Sequence, residues 1–208
     1  MLLDRAKETL GHRRLQILLG SLMGDGNLHI PSTCVNARFG ESHREEDSEY
    51  LFWKYGELEP IGLFRKPYPV KWRKGQGKRF SSKCHVAFTD LYRLFYPSGF
   101  KIVNWLILQS LEPLALSVWY QDDGHLGFQS RSRRPYVRLS TCNFGEVGNE
   151  NIRNWLKYKF DFDFRVIHVR GYPELSLTRY KQVLSFLNMV KPFIVPCMER
   201  KVVVLEKL

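Results

Sequence analysis

The chain has 208 residues, 44% apolar and 25% charged, which is the composition of a globular protein with one large domain or two small ones. It carries 32 Lys and Arg against 21 Asp and Glu, a net charge of +11. A chain this basic favours a polyanionic partner, with nucleic acid the first candidate and an anionic membrane the second. No apolar run approaches the roughly 20 residues that span a bilayer, and charges near the N-terminus argue against an export signal.

The cysteines are scattered and form no CxxC pair, which argues against a zinc module or a disulfide scaffold. We therefore expect small buried thiols and a reducing compartment. The four are Cys34, Cys84, Cys142 and Cys197.

The first half of the chain opens on an apolar helical segment, LQILLGSLMGDG, that runs into Asp25-Gly26. Strand-like segments, a helical segment and a further hairpin follow it. The predicted elements are, in chain order, a helix over 15–26, strands over 27–30 and 34–42, a helix over 44–58, strands around 67–73 and 79–88, and a helix over 89–97.

The second half repeats this pattern, beginning with LALSVWYQDDG at a distance of 98 residues between Gly26 and Gly124. The repeat predicts an α+β protein of two pseudo-symmetric αββαββα halves, residues 1–100 and 101–208, packed as one rigid unit. The link runs from about residue 97 to 113. The repeated elements are a helix over 114–124, strands over 125–128 and 136–144, a helix over 145–160, strands over 164–170 and 174–178, and a helix over 179–190.

The strands alternate with a period of two residues, which separates an apolar face from a basic and polar face. In the clearest case Phe80, Ser82 and Cys84 alternate with Arg79 and Lys83. Such a basic face is suited to lie against nucleic acid. The candidate DNA-contacting residues are Arg38, Lys71, Arg73, Arg79, Lys83, His85, Arg131, Arg133, Arg138, His168 and Arg170.

Asp25 and Asp123 occupy equivalent places in the repeat, each just past an apolar helix and before a glycine. If the two helices pack side by side, both carboxylates emerge at one end of the pair. Paired oxygen ligands in a basic surface favour a hard divalent cation such as Mg²⁺, which also accepts water and phosphate oxygens.

The segments LLGSLMGDG (18–26) and LSVWYQDDG (116–124) resemble the two motifs of the LAGLIDADG homing endonucleases of the single-chain type. The resemblance covers about residues 12–202 and includes YPSGFKIVNWL and VKPFIVPCMERK, which are similar to the segments that close each half in this family. It implies saddle-shaped antiparallel sheets on DNA, joined at the paired motif helices. It also implies Mg²⁺-dependent cleavage of both strands of a long target site, leaving short 3′ overhangs.

The resemblance further implies the residues of the site. Asp25 and Asp123 match the metal-binding acids, and the carbonyls of Gly24 and Asp122 would help to coordinate the metal. Lys101 and Lys201 match the lysines near each scissile phosphate; they follow the two acids by 76 and 78 residues. The remaining polar position of the family falls loosely at His43 and Asn143.

Three functions remain open from the sequence. The first is a site-specific DNA endonuclease that acts as a monomer with Mg²⁺, with Mn²⁺ or Ca²⁺ substituting for binding. The second is an intron maturase of the same fold that binds its host RNA. The third is a non-catalytic DNA-binding regulator, although such proteins usually carry an extra domain. An intracellular location is expected, in an organelle or in a bacterial or archaeal cytoplasm, and no membrane partner.

Overall fold

The described residues of the first half form four α-helices and one antiparallel sheet of four strands. The structure is a computed structural model that describes residues 2–73, 75–130 and 132–203. The sheet order is β1-β2-β4-β3. The elements are α1 (Leu2–Leu10), α2 (His12–Met23), β1 (Asn27–His29), β2 (Arg38–Arg44), α3 (Ser48–Leu58), β3 (Phe64–Trp72), β4 (Gly75–Ser82) and α4 (Val86–Phe95).

The second half repeats this arrangement, with a four-stranded antiparallel sheet of the equivalent order β5-β6-β8-β7. The two αββαββα halves predicted from the repeat are therefore confirmed. The elements are α5 (Trp105–Ser110), α6 (Pro113–Asp123), β5 (Gly124–Phe128), β6 (Pro135–Leu139), α7 (Gly145–Phe160), β7 (Arg165–Val169), β8 (Tyr172–Leu177) and α8 (Tyr180–Val190).

Two helices were not predicted, and each precedes a motif helix. α1 packs against α4, and α5 packs against α7. The link predicted between residues 97 and 113 is thus partly helical. Asn104 begins α5 by accepting a hydrogen bond from the backbone N–H of Ile107, which is the usual role of an asparagine N-cap.

The motif helices α2 and α6 pack directly on each other along the junction of the two halves. Gly20 makes this close approach possible. A Cβ atom there would lie 2.4 Å from the carbonyl oxygen of Ala115 and 2.7 Å from Cβ of Val118. Both helices are buried nearly throughout, so this contact is continuous with the core of each half.

The register of the first sheet separates its two faces. Phe39, Phe64 and Phe80 are buried and pack with one another and with Phe88 of α4. Arg79 lies opposite Ser42 on the other face. Residues on the face that carries Arg79, which we call the open face, are Arg38, Gly40, Ser42, Arg44, Arg65, Tyr68 and Ser81.

The open face of the second sheet carries Arg138, which pairs with Ser176 and with His125. The expectation that His168 lies on this face is wrong. Register places His168 opposite Pro173, on the face of Leu175 and Leu177, and its Nε2 lies 2.7 Å from Glu146 of α7. The intervening strand residues, including Arg165 opposite Ser176, lie on the open face instead.

Several other candidates lie near or beyond the ends of strands, away from the open faces. β4 ends at Ser82, so Lys83 lies beyond it and donates to the carbonyl of Gly62. His85 caps α4 by accepting a hydrogen bond from the backbone N–H of Ala87. Arg133 and Arg170 lie in the β5–β6 and β7–β8 connections with positive φ angles.

The β3–β4 hairpin carries two more candidates. Lys71 is paired with Gln76 within the hairpin, on the opposite face from Arg79, and Arg73 lies in the turn. Arg131 lies outside the described residues.

The expectation of buried thiols is also wrong. Cys142 is exposed, and Cys34, Cys84 and Cys197 are half-buried. Within the described ranges, every helix is too short or too polar to cross a bilayer.

The Gly20 contact yields a stability prediction. We expect Gly20→Ala to lower the midpoint of thermal unfolding, because overpacking of this kind costs about 1–3 kcal/mol. Gly56→Ala is the matched control, since Gly56 lies in α3 with no atom within 4 Å of an added Cβ. That variant should gain up to about 1 kcal/mol, as alanine is the better helix former. Equal shifts of the same sign in both variants would contradict the packing.

Candidate functional site

The motif helices bring three carboxylates together at the junction of the halves. Asp25 follows the end of α2, while Asp122 and Asp123 are the last two residues of α6. The backbone N–H of Asp25 lies 3.4 Å from Oδ2 of Asp122. Asp25 is 42% exposed at its side chain, whereas the side chain of Asp122 is fully buried.

Two lysines approach these helix ends in matching ways. Lys101 donates to the carbonyls of Gly24 and Gly26, at 3.3 and 2.7 Å. Lys201 donates to the carbonyls at the end of α6, those of Tyr120, Gln121 and Asp122. A cation at a helix C-terminus interacts favourably with the unpaired carbonyls and the helix dipole.

Burial lowers the pKa of both Lys101 and Lys201, although the nearby aspartates oppose that shift. The carbonyls of Gly24 and Asp122, expected to help bind metal, are thus acceptors for lysine in this structure. The carboxylates are the oxygens that remain for a cation.

A fully buried cation, Lys54 of α3, lies behind the site. Its Nζ is 2.5 Å from Oε1 of Glu41 and 2.7 and 2.9 Å from the two carboxylate oxygens of Asp122. It also lies 4.6 Å from the centroid of the Tyr50 ring, a cation–π contact. Lys54 and Glu41 belong to the first half and Asp122 to the second, so this ion pair joins the halves.

His43 of β2 connects the buried pair to Asp25. Its Nε2 is 2.6 Å from Oε1 of Glu41, and its Nδ1 is 3.6 Å from Oδ2 of Asp25. Burial alone would lower the pKa of His43, but the bond to Glu41 and the charge of Glu41 raise it. Burial alone would raise the pKa of Glu41, but Lys54 and His43 lower it to about 2.

The second-motif acids have raised pKa values. Burial, then Asp25 and Asp122, raise the pKa of Asp123 to about 7. Burial, then Glu41 and Asp25, raise that of Asp122 to about 6, although Lys54 opposes them. Within the described residues, no hydrogen bond is found to the side chain of Asp123.

This donor set fits a hard divalent cation. Convergent carboxylates repel one another, and a cation between them would relieve that repulsion and favour their ionised forms. Asp122 already binds Lys54 through both oxygens, so the carboxylates of Asp25 and Asp123 are the ones least engaged by the protein.

The structure brings together Asp25, Asp123, Lys101, Lys201 and His43, as the sequence predicted. Asn143 does not join them. It is exposed in a short 3₁₀ helix, Cys142–Phe144, beside the Cys142 thiol. Glu41 and Lys54 were missed as site residues. The one available signal was a charged residue, Lys54, at a helical spacing that otherwise held core residues.

Lys54 yields a second prediction. We expect Lys54→Met to lower the free energy of unfolding by about 3–5 kcal/mol, because removing one partner leaves buried Glu41 and Asp122 without their counter-charge. Adding Glu41→Leu should recover part of the loss. Lys157→Met is the control: Lys157 pairs with Asp161 on the surface, and exposed pairs contribute about 0–1 kcal/mol. Chemical denaturation measures all three, and a Lys54→Met loss no larger than the control's would contradict the assignment.

Curated relatives match nearly the whole chain. The protein RecA of Mycolicibacterium fallax is 30% identical over 94% of this chain and 47% of its own length. DNA endonuclease I-ChuI of Chlamydomonas applanata is 27% identical over 93% of this chain and 96% of its own. Cytochrome b mRNA maturase bI2 of Debaryomyces hansenii is 24% identical over 92% and 74%. The chain spans about half the length of the RecA proteins that it matches.

Solved structures share the fold. The homing endonuclease I-WcaI bound to its DNA recognition sequence superposes with a TM-score of 0.82 at 20% identity, over 96% of this chain and 91% of that one. I-DmoI in complex with DNA and Mn superposes with a TM-score of 0.50 at 16% identity, over 86% of this chain and 96% of that one.

The model of the LAGLIDADG DNA endonuclease family matches residues 15–182, which include both motif helices and both sheets. The chain therefore belongs to the LAGLIDADG DNA endonuclease family.

Proposed function

We propose that this protein is a site-specific double-strand DNA endonuclease of the homing type. The observation that carries the proposal is the matched pair of centres at the junction. Each centre has an aspartate just after or at the end of a motif helix and a lysine bound to the carbonyls of that helix end. A two-fold repeat of the site suits a duplex, whose two strands are also related by a two-fold axis.

The relatives support this proposal. I-ChuI, which the chain matches over nearly all of both lengths, is a DNA endonuclease, and I-WcaI was solved bound to its DNA recognition sequence. The proposal includes a long target site, 3′ overhangs and an intracellular location. It also includes action as a monomer, since one chain supplies both halves.

Mg²⁺ is the cofactor that we propose. I-DmoI was solved with DNA and either Mn or Ca, so a protein of this fold accepts divalent ions. Asp25 and Asp123 would hold the metal here. When bound, such an ion polarises the scissile phosphate and lowers the pKa of a water.

The lysines would act on the phosphates. An ammonium group has three donors, and Lys101 uses two of them on the carbonyls of Gly24 and Gly26, which leaves one for a phosphate oxygen. Its burial fixes the group in place and strengthens its interaction with developing charge. Lys201 donates to three carbonyls, so it would act on a phosphate in the second half by exchanging the longest of these bonds, the one to Tyr120 at 3.4 Å, for a phosphate oxygen.

The open faces of the two sheets would bind the duplex. They present Arg38, Arg79 and Arg138 from strands, where the backbone fixes their spacing. Arg138 lies over the Tyr136 ring, 5.0 Å from its centroid, a cation–π contact between two residues of the open face. Lys71, Arg73, Arg133 and Arg170 would contact DNA from hairpin tips, whereas His85 and His168 have structural partners.

An RNA maturase is the second candidate, because the chain also resembles a cytochrome b mRNA maturase. Cleavage of a plasmid library separates the two: linear product identifies the endonuclease. Tight binding of intron RNA without cleavage would favour the maturase.

The site assignment predicts a separation of cleavage from binding. Asp25→Asn or Asp123→Asn should abolish Mg²⁺-dependent double-strand cleavage, because each removes a ligand charge, while DNA affinity stays within about three-fold. Cleavage assays on the identified target beside gel-shift titrations measure this. Asp161→Asn is the control, since Asp161 is exposed and pairs with Lys157. Full cleavage by either variant would contradict the assignment of Asp25 and Asp123 as metal ligands.

The open faces predict a salt dependence. Arg79→Gln and Arg138→Gln should each reduce the slope of log affinity against log salt by about 1, the value of one phosphate contact. Arg153→Gln is the control, because Arg153 lies on α7 and pairs with Glu150. A slope unchanged from the parent in both sheet variants would contradict the placement of DNA on these faces.

The pKa of Asp123 predicts how pH acts on stability without metal. Because the folded pKa is about 7 and the ordinary value is 3.8, the folded state holds the proton that the unfolded state loses. Stability from this group is therefore lost as pH rises from about 4 to 7. In EDTA the melting temperature should fall between pH 6 and pH 8, and Mg²⁺ should raise it more at pH 8. Asp123→Asn should reduce both the fall in melting temperature with pH and the extra effect of Mg²⁺ at pH 8. A melting temperature that depends on pH as in the parent protein would show that Asp123 is not the cause.

A further inference from the structure

One histidine of the first half is built like a metal ligand, although no residue of the second half matches it. His43 is only 7% exposed, and its ring is held by a hydrogen bond at Nε2. Nε2 meets Oε1 of Glu41 at 2.6 Å, and an ionised carboxylate only accepts hydrogen bonds. Nε2 therefore carries the hydrogen in that bond, and Nδ1 is the nitrogen that faces Asp25.

This arrangement is the usual one around a metal-bound histidine. Such a ring donates its other N–H to a carboxylate, which sets the tautomer and the ring orientation. Here Glu41 is that carboxylate, and Lys54 holds it in turn at 2.5 Å. The histidine is thus oriented before any metal arrives.

The distances to the neighbouring oxygens suit one shared ion. Nδ1 of His43 and Oδ2 of Asp25 are 3.6 Å apart, too far for a strong hydrogen bond. Two ligands at about 2.1 Å from a tetrahedral metal are about 3.4 Å apart. A carboxylate oxygen of Asp122 lies within 4.8 Å of both atoms, although it also accepts a hydrogen bond from Lys54, so His43 and Asp25 are the two ligands of this centre that the protein engages least. A surface pocket lined by Asp25, Ser42, His43 and Arg44 gives access from solvent.

We propose that His43 is a nitrogen ligand of the metal held by Asp25, so that the first-half centre prefers borderline ions such as Co²⁺, Ni²⁺ or Zn²⁺ over Mg²⁺. Imidazole suits these ions, whereas an all-oxygen set suits Mg²⁺. The second half has Thr141 at the equivalent place, 98 residues on, and its hydroxyl is engaged by Asn149. The two centres would therefore differ in metal preference.

The inference rests on the proposed function for the use of the metal, but its test needs no DNA. Co²⁺ alone is titrated into the full chain and followed by its visible absorption and by calorimetry. His43→Gln should weaken Co²⁺ binding at least 10-fold and shift the absorption bands, because a nitrogen ligand is lost, while Mg²⁺ affinity changes less than three-fold. Asp25→Asn should weaken both ions.

His12→Gln is the matched control. His12 also pairs with a carboxylate, Glu112 at 2.9 Å, but lies at the opposite end of α2 from Asp25. Co²⁺ binding should be unchanged in it. Cys84→Ser tests the thiol pair, since the Cys84 and Cys34 sulfur atoms are 2.7 Å apart. Co²⁺ binding that depends on Cys84 and not on His43 would overturn the inference, as would equal loss of Co²⁺ and Mg²⁺ in His43→Gln.

A cleavage readout then separates this inference from the proposed function. If the protein nicks target DNA, replacing Mg²⁺ with Co²⁺ should change the rate of cleavage of one strand more than that of the other, and His43→Gln should remove that difference. If no DNA is cut but Co²⁺ binding depends on His43, the metal ligand stands and the endonuclease proposal falls.

Discussion

The buried ammonium group of Lys54 is the interaction on which the site depends. Glu41 and Asp122 are fully buried at their side chains, and each would be costly to ionise alone. Lys54 bonds to both and so keeps two carboxylates charged within the core. Glu41 then orients His43, and Asp122 accepts a hydrogen bond from the backbone N–H of Asp25. Removing Lys54 would therefore disturb both His43, through Glu41, and Asp25, through Asp122.

The two halves fill the buried positions of Glu41 and Lys54 with residues of different chemistry. At the positions equivalent to Glu41 and Lys54, 98 residues on, the second half has Leu139 and Ile152, both fully buried. An apolar pair of this kind is often as stable as a buried ion pair or more so. The charged pair in the first half therefore adds little stability that packing could not supply. Its consequence is chemical, because the buried carboxylate of Glu41 orients His43 towards Asp25, and Leu139 at the equivalent position of the second half cannot do this.

Sequence patterns sufficed for the repeat, the element order within each half and the pairing of Asp25 with Asp123. Those features depend on helix ends and strand alternation, which are local. The placement of Lys101 and Lys201 beside them was implied by the family resemblance. The errors have local causes too: alternation continued past the last hydrogen-bonded pair of β4, so Lys83 and His85 were assigned to a strand. His168 was placed on the wrong face because β7 has apolar residues on both sides. Lys54 could not be recognised as a site residue, because its partners are 13 and 68 residues away in sequence.

The close approach of α2 and α6 explains why the two halves of the repeat differ at the ends of the motif helices. Gly24 and Asp122 are equivalent in the repeat, yet a Cβ atom at Gly24 would lie 2.5 Å from the Cβ of Asp122. Two aspartates could not both occupy these positions at this separation. One helix must carry a small residue so that the other can carry the carboxylate that binds Lys54. Asymmetry at the junction is therefore a steric consequence of placing an aspartate at position 122. The unequal surroundings of Asp25 and Asp123 follow from it.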